Sequence, residues 1–319
     1  MSNSLRVAIA GLGTVGAGTV QVLTEHRALI AQRGGRNVDI VAVSAKNRSK
    51  DRGVSLDGYE WYDDPVAMAR EADVDLVLEL IGGEDGPAKA VCEAAIAAGR
   101  HVVTANKALL AMHGNALATA AEAAGVSLNY EAAIAGGIPI VKALREGLAG
   151  NRVTRVYGIL NGTCNYILTE MREERLSYET VLADAQKLGY AEAEPSVDVD
   201  GIDAAHKLAL LASLAFGTKV NFEGVYTEGI RKVALEDIDY AEEFGYRIKL
   251  LGSARMTDHG LEQRVHPCMV RKDKPIAHVE GAYNAVVAHG DFVDDTMYEG
   301  RGAGGGPTAG LCAGVCSPG

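Results

Sequence analysis

The chain has 319 residues, of which 48% are hydrophobic and 23% charged, enough for one large core or two moderate ones. Its formal net charge of −11 argues against nucleic acid or an anionic membrane surface as a partner. Five cysteines without a C-x-x-C pair, no signal-peptide layout and no apolar run of 18 residues predict a soluble cytoplasmic protein without a disulfide scaffold or zinc ribbon.

The first half of the chain alternates between short apolar strands and helices. Strands are predicted at 6–10, 38–45, 74–81, 101–105 and 126–131, and helices at 14–32, 87–98 and 108–124. Continuous Val, Ile and Leu runs separated by helices are typical of a parallel sheet covered on both faces. Residues 1–135 are therefore predicted to form a doubly wound, Rossmann-like domain that binds a dinucleotide.

The pattern changes after residue 135. Helices are predicted at 138–148, 164–173, 178–188 and 202–216, and strands at 153–160, 246–256 and 261–270. Residues 136–300 are therefore predicted to form a second, mixed α/β domain that binds the substrate and carries out catalysis. Residues 301–319 are expected to return to the first domain, although this glycine-rich end is too weakly periodic to predict a helix.

A glycine motif, G-L-G-T-V-G, lies between the first strand and the first helix. In this context the first glycine permits a tight turn, the second lets a pyrophosphate approach the backbone, and the third lets the helix pack on the strand. The phosphates would lie at the helix N-terminus. The candidate cofactor-binding residues are Gly11, Gly13, Thr14, Val15 and Gly16. A glycine turn without a ligand is the alternative.

The second strand ends in a basic stretch, S-A-K-N-R-S-K, where an NAD-binding domain would place an acid for the ribose 2′-hydroxyl. A basic cluster suits the 2′-phosphate of NADP instead. Lys46 and Arg48 are the candidates for this contact, and NADP is favoured over NAD as the cofactor. The alternative is a solvated basic loop.

Acids and a lysine crowd the segment that leads into the helix predicted at 202–216. Asp203 and Lys207 are spaced i, i+4 and share one face of the helix, whereas Glu192 and Glu194 precede it in a segment that Pro195 keeps non-helical. Such acids repel one another unless cations share the site. A substrate ammonium together with the lysine would supply that charge. A simple intrahelical ion pair is the alternative.

A second lysine follows a strand of the first domain, in the sequence T-A-N-K at 104–107. By the switch-point rule, this edge of the sheet faces the nicotinamide end of a bound dinucleotide. Thr104 and Lys107 are therefore candidates for contact with the cofactor.

The stretch 189–207, G-Y-A-E-A-E-P-S-V-D-V-D-G-I-D-A-A-H-K, resembles the signature of homoserine dehydrogenase. Four shorter blocks are similar to others of that family and occur in its order: TANK (104–107), EAAIAGGIP (131–139), NGTCNY (161–166) and GRGAGGGPTA (300–309). The resemblance extends from about residue 5 to 309.

The resemblance implies reversible NAD(P)-dependent interconversion of L-aspartate 4-semialdehyde and L-homoserine, on the route to threonine and methionine, by a homodimer formed through the second domain. Lys207 matches the proton donor to the carbonyl oxygen, and Lys107 matches a lysine near substrate and nicotinamide. Asp198, Asp203 and Glu192 match acids that bind the substrate. Which of the two lysines delivers the proton stays open.

Two further sets of positions are implied by the same resemblance. Those that border the cofactor are Gly189, Glu192 and Gly304. Those that match a structural sodium site, built largely from backbone carbonyls, are Glu131, Ile134, Gly136 and Ile138.

The sequence departs from the family pattern in three places. Glu194 stands where Asp, Asn or Ser is usual, and Cys164 replaces the second Thr of an N-G-T-T motif. Members of the family often continue after G-G-x-P-T-A into a long helix and a regulatory domain. Because the sequence ends at Gly319, no C-terminal regulatory domain is expected, and the lack of a closing helix is expected to weaken the first domain's core.

Two other functions compete with this interpretation. Cys164 suits an acylating semialdehyde dehydrogenase that forms a thioester, with His206 as base, although His206 points about 100° away from Lys207 on a helix. A non-catalytic dinucleotide sensor would share the glycine loop but would leave the acids and Lys207 unexplained.

Overall fold

A computed structural model describes residues 4–316 of the chain. The chain divides into two compact units: one holds the residues up to Gly137 together with the segment from Ala303 onward, and the other holds Ile138–Gly302. Each unit contains a six-stranded sheet, parallel in the first and mixed in the second. The predicted α/β fold class is confirmed.

The strands are β1 (Leu5–Ala10), β2 (Val38–Ser44), β3 (Glu60–Tyr62), β4 (Leu76–Glu79), β5 (His101–Thr104), β6 (Leu128–Asn129), β7 (Val153–Ile159), β8 (Val225–Thr227), β9 (Tyr246–Thr257), β10 (Gly260–Arg271), β11 (Tyr283–Gly290) and β12 (Asp294–Arg301). The helices are α1 (Thr14–Glu25), α2 (Arg27–Gly34), α3 (Pro65–Glu71), α4 (Pro87–Ala97), α5 (Lys107–Ala124), α6 (Glu131–Ala135), α7 (Ile140–Lys142), α8 (Gly162–Glu173), α9 (Tyr178–Lys187), α10 (Ser196–Val199), α11 (Ile202–Phe216), α12 (Leu235–Glu243) and α13 (Gly305–Val315).

The first sheet has the strand order β3-β2-β1-β4-β5-β6, with all strands parallel. Because side chains alternate along a strand, Val7 and Ile9 pack into the core on one face, whereas Ala8 and Ala10 pack into the core on the other. The order reverses between β1 and β4, which places a topological switch point beside the glycine loop.

The closing helix of the first unit corrects an expectation from the sequence. Gly305–Val315 forms α13, which packs on α1 through small residues, and a Cβ built on Gly18 would lie 3.1 Å from the Cβ of Ala309. Cys312 and Cys316 join the core of this unit. The expectation that a closing helix is lacking was wrong, because glycine and alanine let α13 approach α1 closely without the apolar stripe that marks most packed helices.

Other element boundaries in the first unit also differ from the predictions. The single helix predicted at 14–32 is two helices, with His26 between them in a non-helical conformation. The edge strand β3 was missed because three residues, Glu60–Tyr62, are too few to show alternation. The strand predicted at 126–131 pairs only over Leu128–Asn129.

The second sheet has the strand order β12-β11-β7-β9-β10-β8 and is antiparallel except for the β10–β8 pair. One face packs on α11, and Gly252 on β9 makes room there for the side chains of Leu160 and Leu208. Strands β11 and β12 were missed from the sequence.

Two helical predictions in the second unit need correction. The helix predicted at 138–148 is the short α7 followed by a π-helical turn at Ala143–Gly147. The segment after Pro195, predicted as non-helical, contains the turn α10, because a proline excludes helix before it rather than after it.

Within residues 4–316, none of the helices combines the length and the apolar character needed to cross a bilayer.

Candidate active site

The glycine loop follows β1 and has the geometry of a phosphate-binding turn. Gly11 has a φ of +97°, and a Cβ there would lie 2.5 Å from the carbonyl oxygen of Leu80. Gly13 faces open space, whereas a Cβ on Gly16 would lie 1.9 Å from the oxygen of Gly11. The third glycine therefore makes room for the loop's own carbonyl rather than for the strand. No side chain caps α1 at Gly13, so its first amides can meet an anion.

The start of α13 lies against this loop. Gly304 is the residue before the helix and has a φ of +116°, which favours glycine. A Cβ on Gly305 would lie 3.0 Å from the Cγ2 of Thr14, the first residue of α1. The structure thus brings the predicted cofactor residue Gly304 to the glycine loop.

A buried hydrogen-bond network supports the T-A-N-K turn at the carboxyl end of β5. The Thr104 hydroxyl donates to Glu79 Oε2 (2.6 Å) and accepts from the backbone N–H of Asn106 (2.9 Å). Asn106 caps α5 and also donates to the carbonyl of Gly83 (2.6 Å). Lys107, half-buried, is the first residue of α5. These contacts hold the turn that presents Lys107.

Three cations lie beyond the end of β2. Lys46 and Arg48 are exposed, and the Arg48 guanidinium lies 5.7 Å from the ring centre of Trp61. Arg52 lies at the same distance from Trp61 and donates from Nε to the carbonyl of Leu12 in the glycine loop (3.2 Å). Sequence reasoning missed Arg52 because it lies outside the basic stretch at 44–50.

The acid–lysine pair of the second unit is buried. Lys207 Nζ donates to Asp203 Oδ2 (2.8 Å) and to the carbonyl oxygen of Leu160 (2.8 Å). The side chains of Lys207 and Asp203 are 10% and 8% exposed. The pair is intrahelical, as the spacing alone allowed, but it is buried and Lys207 also reaches a carbonyl at the end of β7, which a simple surface ion pair would not do.

Asn161 joins a second carboxylate to this pair. Its Nδ2 donates to Asp198 Oδ1 (2.8 Å) and to Asp203 Oδ2 (2.9 Å). Its Oδ1 accepts from the backbone N–H of Cys164 (2.8 Å) and caps α8. Asp198, Asp203, Lys207 and Asn161 thus form one group, named here the acid–lysine cluster. Sequence reasoning gave Asn161 no role, although an Asn at a strand–helix junction is a signal for an N-cap.

The loop before α10 lies at the surface. Gly189 and Glu192 are exposed, and the Glu192 carboxylate has no hydrogen-bond or ion-pair partner among residues 4–316. The loop is held on α8 and α9, since Thr163 Oγ1 donates to the carbonyl of Tyr190 (2.9 Å) and Gln186 Nε2 donates to that of Glu192 (2.9 Å). The structure does not bring Glu192 into hydrogen-bonding contact with the acid–lysine cluster.

Two further acids of the motif have structural partners. Glu194 accepts from the backbone N–H of Ser196 (3.2 Å), and its hydrogen bonds to Ser196 lower its pKa. Asp200 forms an ion pair with Arg231, whose Nη2 donates to Asp200 Oδ2 (3.1 Å) and to Ser196 Oγ (2.8 Å). These contacts hold α10, which carries Asp198.

Cys164 is poorly suited to covalent catalysis. Its side chain is buried, and its Sγ donates to the carbonyl of Asp198 (3.2 Å). Burial, followed by the negative charge of Asp198, raises the pKa of the thiol well above its ordinary value. His206 is also buried, with its ring centre 4.4 Å from that of Phe222. The geometry therefore offers no support for a cysteine-dependent acylating enzyme.

The residues matched to a sodium site lie around α6. Glu131 is buried at the first position of that helix, Ile134 lies within it, and Gly136 ends it with a φ of +57°. Ile138 is the first residue of the second unit.

Comparisons with known proteins identify similar chains. A family model described as "Homoserine dehydrogenase, NAD binding domain" matches residues 11–131, and one described as "Homoserine dehydrogenase" matches residues 139–315. A homoserine dehydrogenase of Pseudomonas aeruginosa is 50% identical over 96% of this chain and 70% of its own length. One of Neisseria gonorrhoeae is 48% identical, with the same shares covered. The solved structure of a homoserine dehydrogenase from Thiobacillus denitrificans, 48% identical, has a TM-score of 0.95 over 98% of this chain and 72% of that one.

Proposed function

Because the chain belongs to the homoserine dehydrogenase family, we propose that its acid–lysine cluster binds L-homoserine and L-aspartate 4-semialdehyde during their interconversion. The protein is an NAD(P)-dependent oxidoreductase that acts on a CH–OH group. The observation that carries the proposal is the buried hydrogen bond between Lys207 and Asp203, joined to Asp198 through Asn161.

Lys207 is proposed as the residue that moves the proton. An ammonium group has three N–H donors, and the contacts with Asp203 and Leu160 occupy two, which leaves the third for the substrate oxygen. During reduction Lys207 donates this proton to the nascent alkoxide, and during oxidation it receives the hydroxyl proton. A bound nicotinamide supplies or accepts the hydride. Lys107 is proposed as a second catalytic lysine, near the substrate and the nicotinamide.

The carboxylates of the cluster are proposed to hold the substrate ammonium. Lys207 pairs with Asp203, and Asn161 links Asp203 to Asp198. Carboxylate oxygens held in this way suit an ammonium group, which fixes the substrate relative to Lys207. Glu192, exposed and without a partner among the described residues, is proposed to add a further contact.

The main experiment is steady-state oxidation of L-homoserine by wild type, Lys207→Ala and Lys107→Ala. Each variant is expected to lose about a hundredfold or more in turnover, the usual scale for a removed acid–base group. Lys187→Ala is the matched control, since Lys187 is an exposed lysine on α9 that pairs with Asp184. Near-normal turnover by either test variant removes that lysine from the chemistry.

The residues present fit a dinucleotide, because Gly13 is open and the first amides of α1 have no side-chain cap. The proposed contacts are made by Gly11, Gly13, Thr14, Val15, Gly16, Lys46, Arg48, Thr104, Lys107, Gly189, Glu192 and Gly304. NADP is proposed as the preferred cofactor, with the cations beyond β2 binding its 2′-phosphate. Arg48→Ser is expected to raise the KM for NADP⁺ about tenfold, because one charged contact with the 2′-phosphate is lost. The KM for NAD⁺, which lacks this phosphate, is expected to stay nearly unchanged. A wild type that prefers NAD⁺ contradicts this proposal.

A structural sodium ion is proposed at Glu131, Ile134, Gly136 and Ile138. The buried Glu131 carboxylate and the backbone carbonyls near a positive-φ glycine are oxygen donors, which hard cations prefer. Replacing sodium chloride by choline chloride is expected to lower the Tm, since an ion that binds only the folded state stabilises it. Glu131→Gln should abolish the difference, and an equal Tm in both salts for the wild type argues against the ion.

A homodimer formed through the second unit is proposed from its exposed apolar surface. Tyr240, Phe244 and Met269 are 62%, 68% and 53% exposed and line one groove of that unit. A contiguous apolar surface of this kind is typical of an interface. Light scattering should give twice the chain mass for wild type and a lower mass for Phe244→Lys; a monomeric wild type contradicts the proposal.

A cytoplasmic location and a role on the route to threonine and methionine complete the proposal. Cell fractionation should recover the enzyme with a cytosolic marker, and expression should restore growth of a homoserine auxotroph without added homoserine. Recovery of the enzyme in another fraction contradicts the cytoplasmic location, and failure to restore growth contradicts the biosynthetic role.

A further inference from the structure

The contacts of Asn161 determine the direction of its amide. Its Oδ1 accepts from the Cys164 N–H, and its Nδ2 lies 2.8 Å from Asp198 and 2.9 Å from Asp203. A flipped amide would place its oxygen against two carboxylates and its NH₂ against an N–H donor. Asn161 is only 4% exposed, so water cannot readily replace these bonds.

The two carboxylates lie close enough to repel each other. Each has an oxygen within 2.9 Å of the same nitrogen, so these oxygens are less than about 6 Å apart. The lysine of the cluster bonds to Asp203. Asn161 offers both acids an N–H donor without adding a charge, and hydrogen bonds to the charged form keep a carboxylate ionised. The neighbouring residue, Leu160, holds Lys207 through its carbonyl.

We propose that Asn161 is a positioning residue for the reaction: it keeps Asp198 and Asp203 ionised and aimed as a receptor for the substrate ammonium. Through Asp203 it also orients Lys207. The turn thus holds Lys207 through the Leu160 carbonyl, and it holds both carboxylates through the Asn161 side-chain amide. This inference rests on the proposed function of the cluster.

The test separates this role from helix capping. Asn161→Ser keeps a side-chain oxygen that can cap α8 but loses the bridge between the acids, whereas Asn161→Ala loses both. Ser177→Ala is the matched control, because Ser177 caps the neighbouring helix α9 by accepting from the N–H of Thr180 (3.4 Å). Asn161→Ser is expected to retain a near-wild-type Tm and to lose about ten- to a hundredfold in kcat/KM for L-homoserine, mainly through a higher KM. Ser177→Ala should lower the Tm and leave kcat/KM unchanged.

The pH profile gives a second readout that a purely structural role would not change. Without the Asn161 donors the carboxylates take up protons at higher pH, so they lose the substrate ammonium there. The acid limb of kcat/KM is therefore expected to move to higher pH by about one unit in Asn161→Ser. If Asn161→Ser keeps the wild-type kcat/KM and the acid limb of its pH profile does not move, the inference is overturned while the proposed function stays intact. A wild type that does not oxidise L-homoserine overturns both.

Discussion

Lys249 gives the second unit a dependence of stability on pH that can be measured. The side chain is 1% exposed on β9, and its Nζ donates to Asn165 Oδ1 (3.1 Å) and to Glu280 Oε2 (3.2 Å). Burial lowers the pKa of Lys249 from 10.5 to about 8, partly opposed by the charge of Glu280.

The sign and size of the effect follow from this pKa. Between pH 8 and 10.5 the unfolded chain keeps the Lys249 proton while the folded protein loses it, so the contribution of Lys249 to the free energy of unfolding rises with pH across this window. One pKa unit corresponds to about 1.4 kcal/mol, and the difference of about 2.5 units amounts to about 3 kcal/mol.

The perturbation is Lys249→Met, which keeps a long side chain and removes the charge. Glu280 retains its ion pairs with Arg172 (3.1 Å) and with Arg247, so no buried carboxylate is left unpaired. The variant is expected to fold, and the slope of its free energy of unfolding against pH is expected to be lower than that of the wild type by up to about 1.4 kcal/mol per pH unit.

The assay is urea unfolding at intervals from about pH 7.5 to 10.5, followed by far-UV circular dichroism, with the slope compared between wild type and variant. Trp61, the single tryptophan, lies on β3 of the first unit, so its fluorescence supplies a control transition within the same molecule. Equal slopes of the free energy of unfolding against pH for wild type and Lys249→Met would refute the reasoning. They would show that Lys249 titrates alike in the folded and unfolded states.

Three shorter predictions follow from close packing and burial. Gly11→Ala should weaken NADP⁺ binding about tenfold or more in calorimetry, because a Cβ would lie 2.5 Å from the Leu80 oxygen at a φ of +97°; unchanged affinity contradicts the predicted role. Gly302→Ala should lower the free energy of unfolding by about 1–3 kcal/mol, because its Cβ would lie 2.0 Å from Asn284 Nδ2. Adding Asn284→Ala to this variant should restore part of the loss, whereas purely additive effects of the two substitutions would refute the clash. Cys164 should resist iodoacetamide until the protein is unfolded, since burial raises the pKa of its thiol; rapid labelling of the native protein, seen by mass spectrometry, argues otherwise.

Local pattern was sufficient where the physical cause is local. The G-L-G-T-V-G loop was recognisable because a tight turn, an open backbone and a close contact each require glycine at a set spacing. The core strands of the first unit were recognisable because burial on both faces demands continuous apolar runs such as 6–10. Asp203 and Lys207 were predicted to meet because the helical period places i and i+4 on one face.

The sequence by itself therefore determined the fold class, the glycine turn after β1 and the pairing of Asp203 with Lys207. Only the tertiary structure decided that this pair is buried, that Asn161 joins it to Asp198 across 37 residues, and that Arg52 returns to the glycine loop. It also decided that the glycine-rich end forms α13, because small residues show their packing value only once α1 is beside them. The periodicity of a chain records which side of an element is buried, whereas contacts between distant segments depend on which surfaces the completed fold brings together.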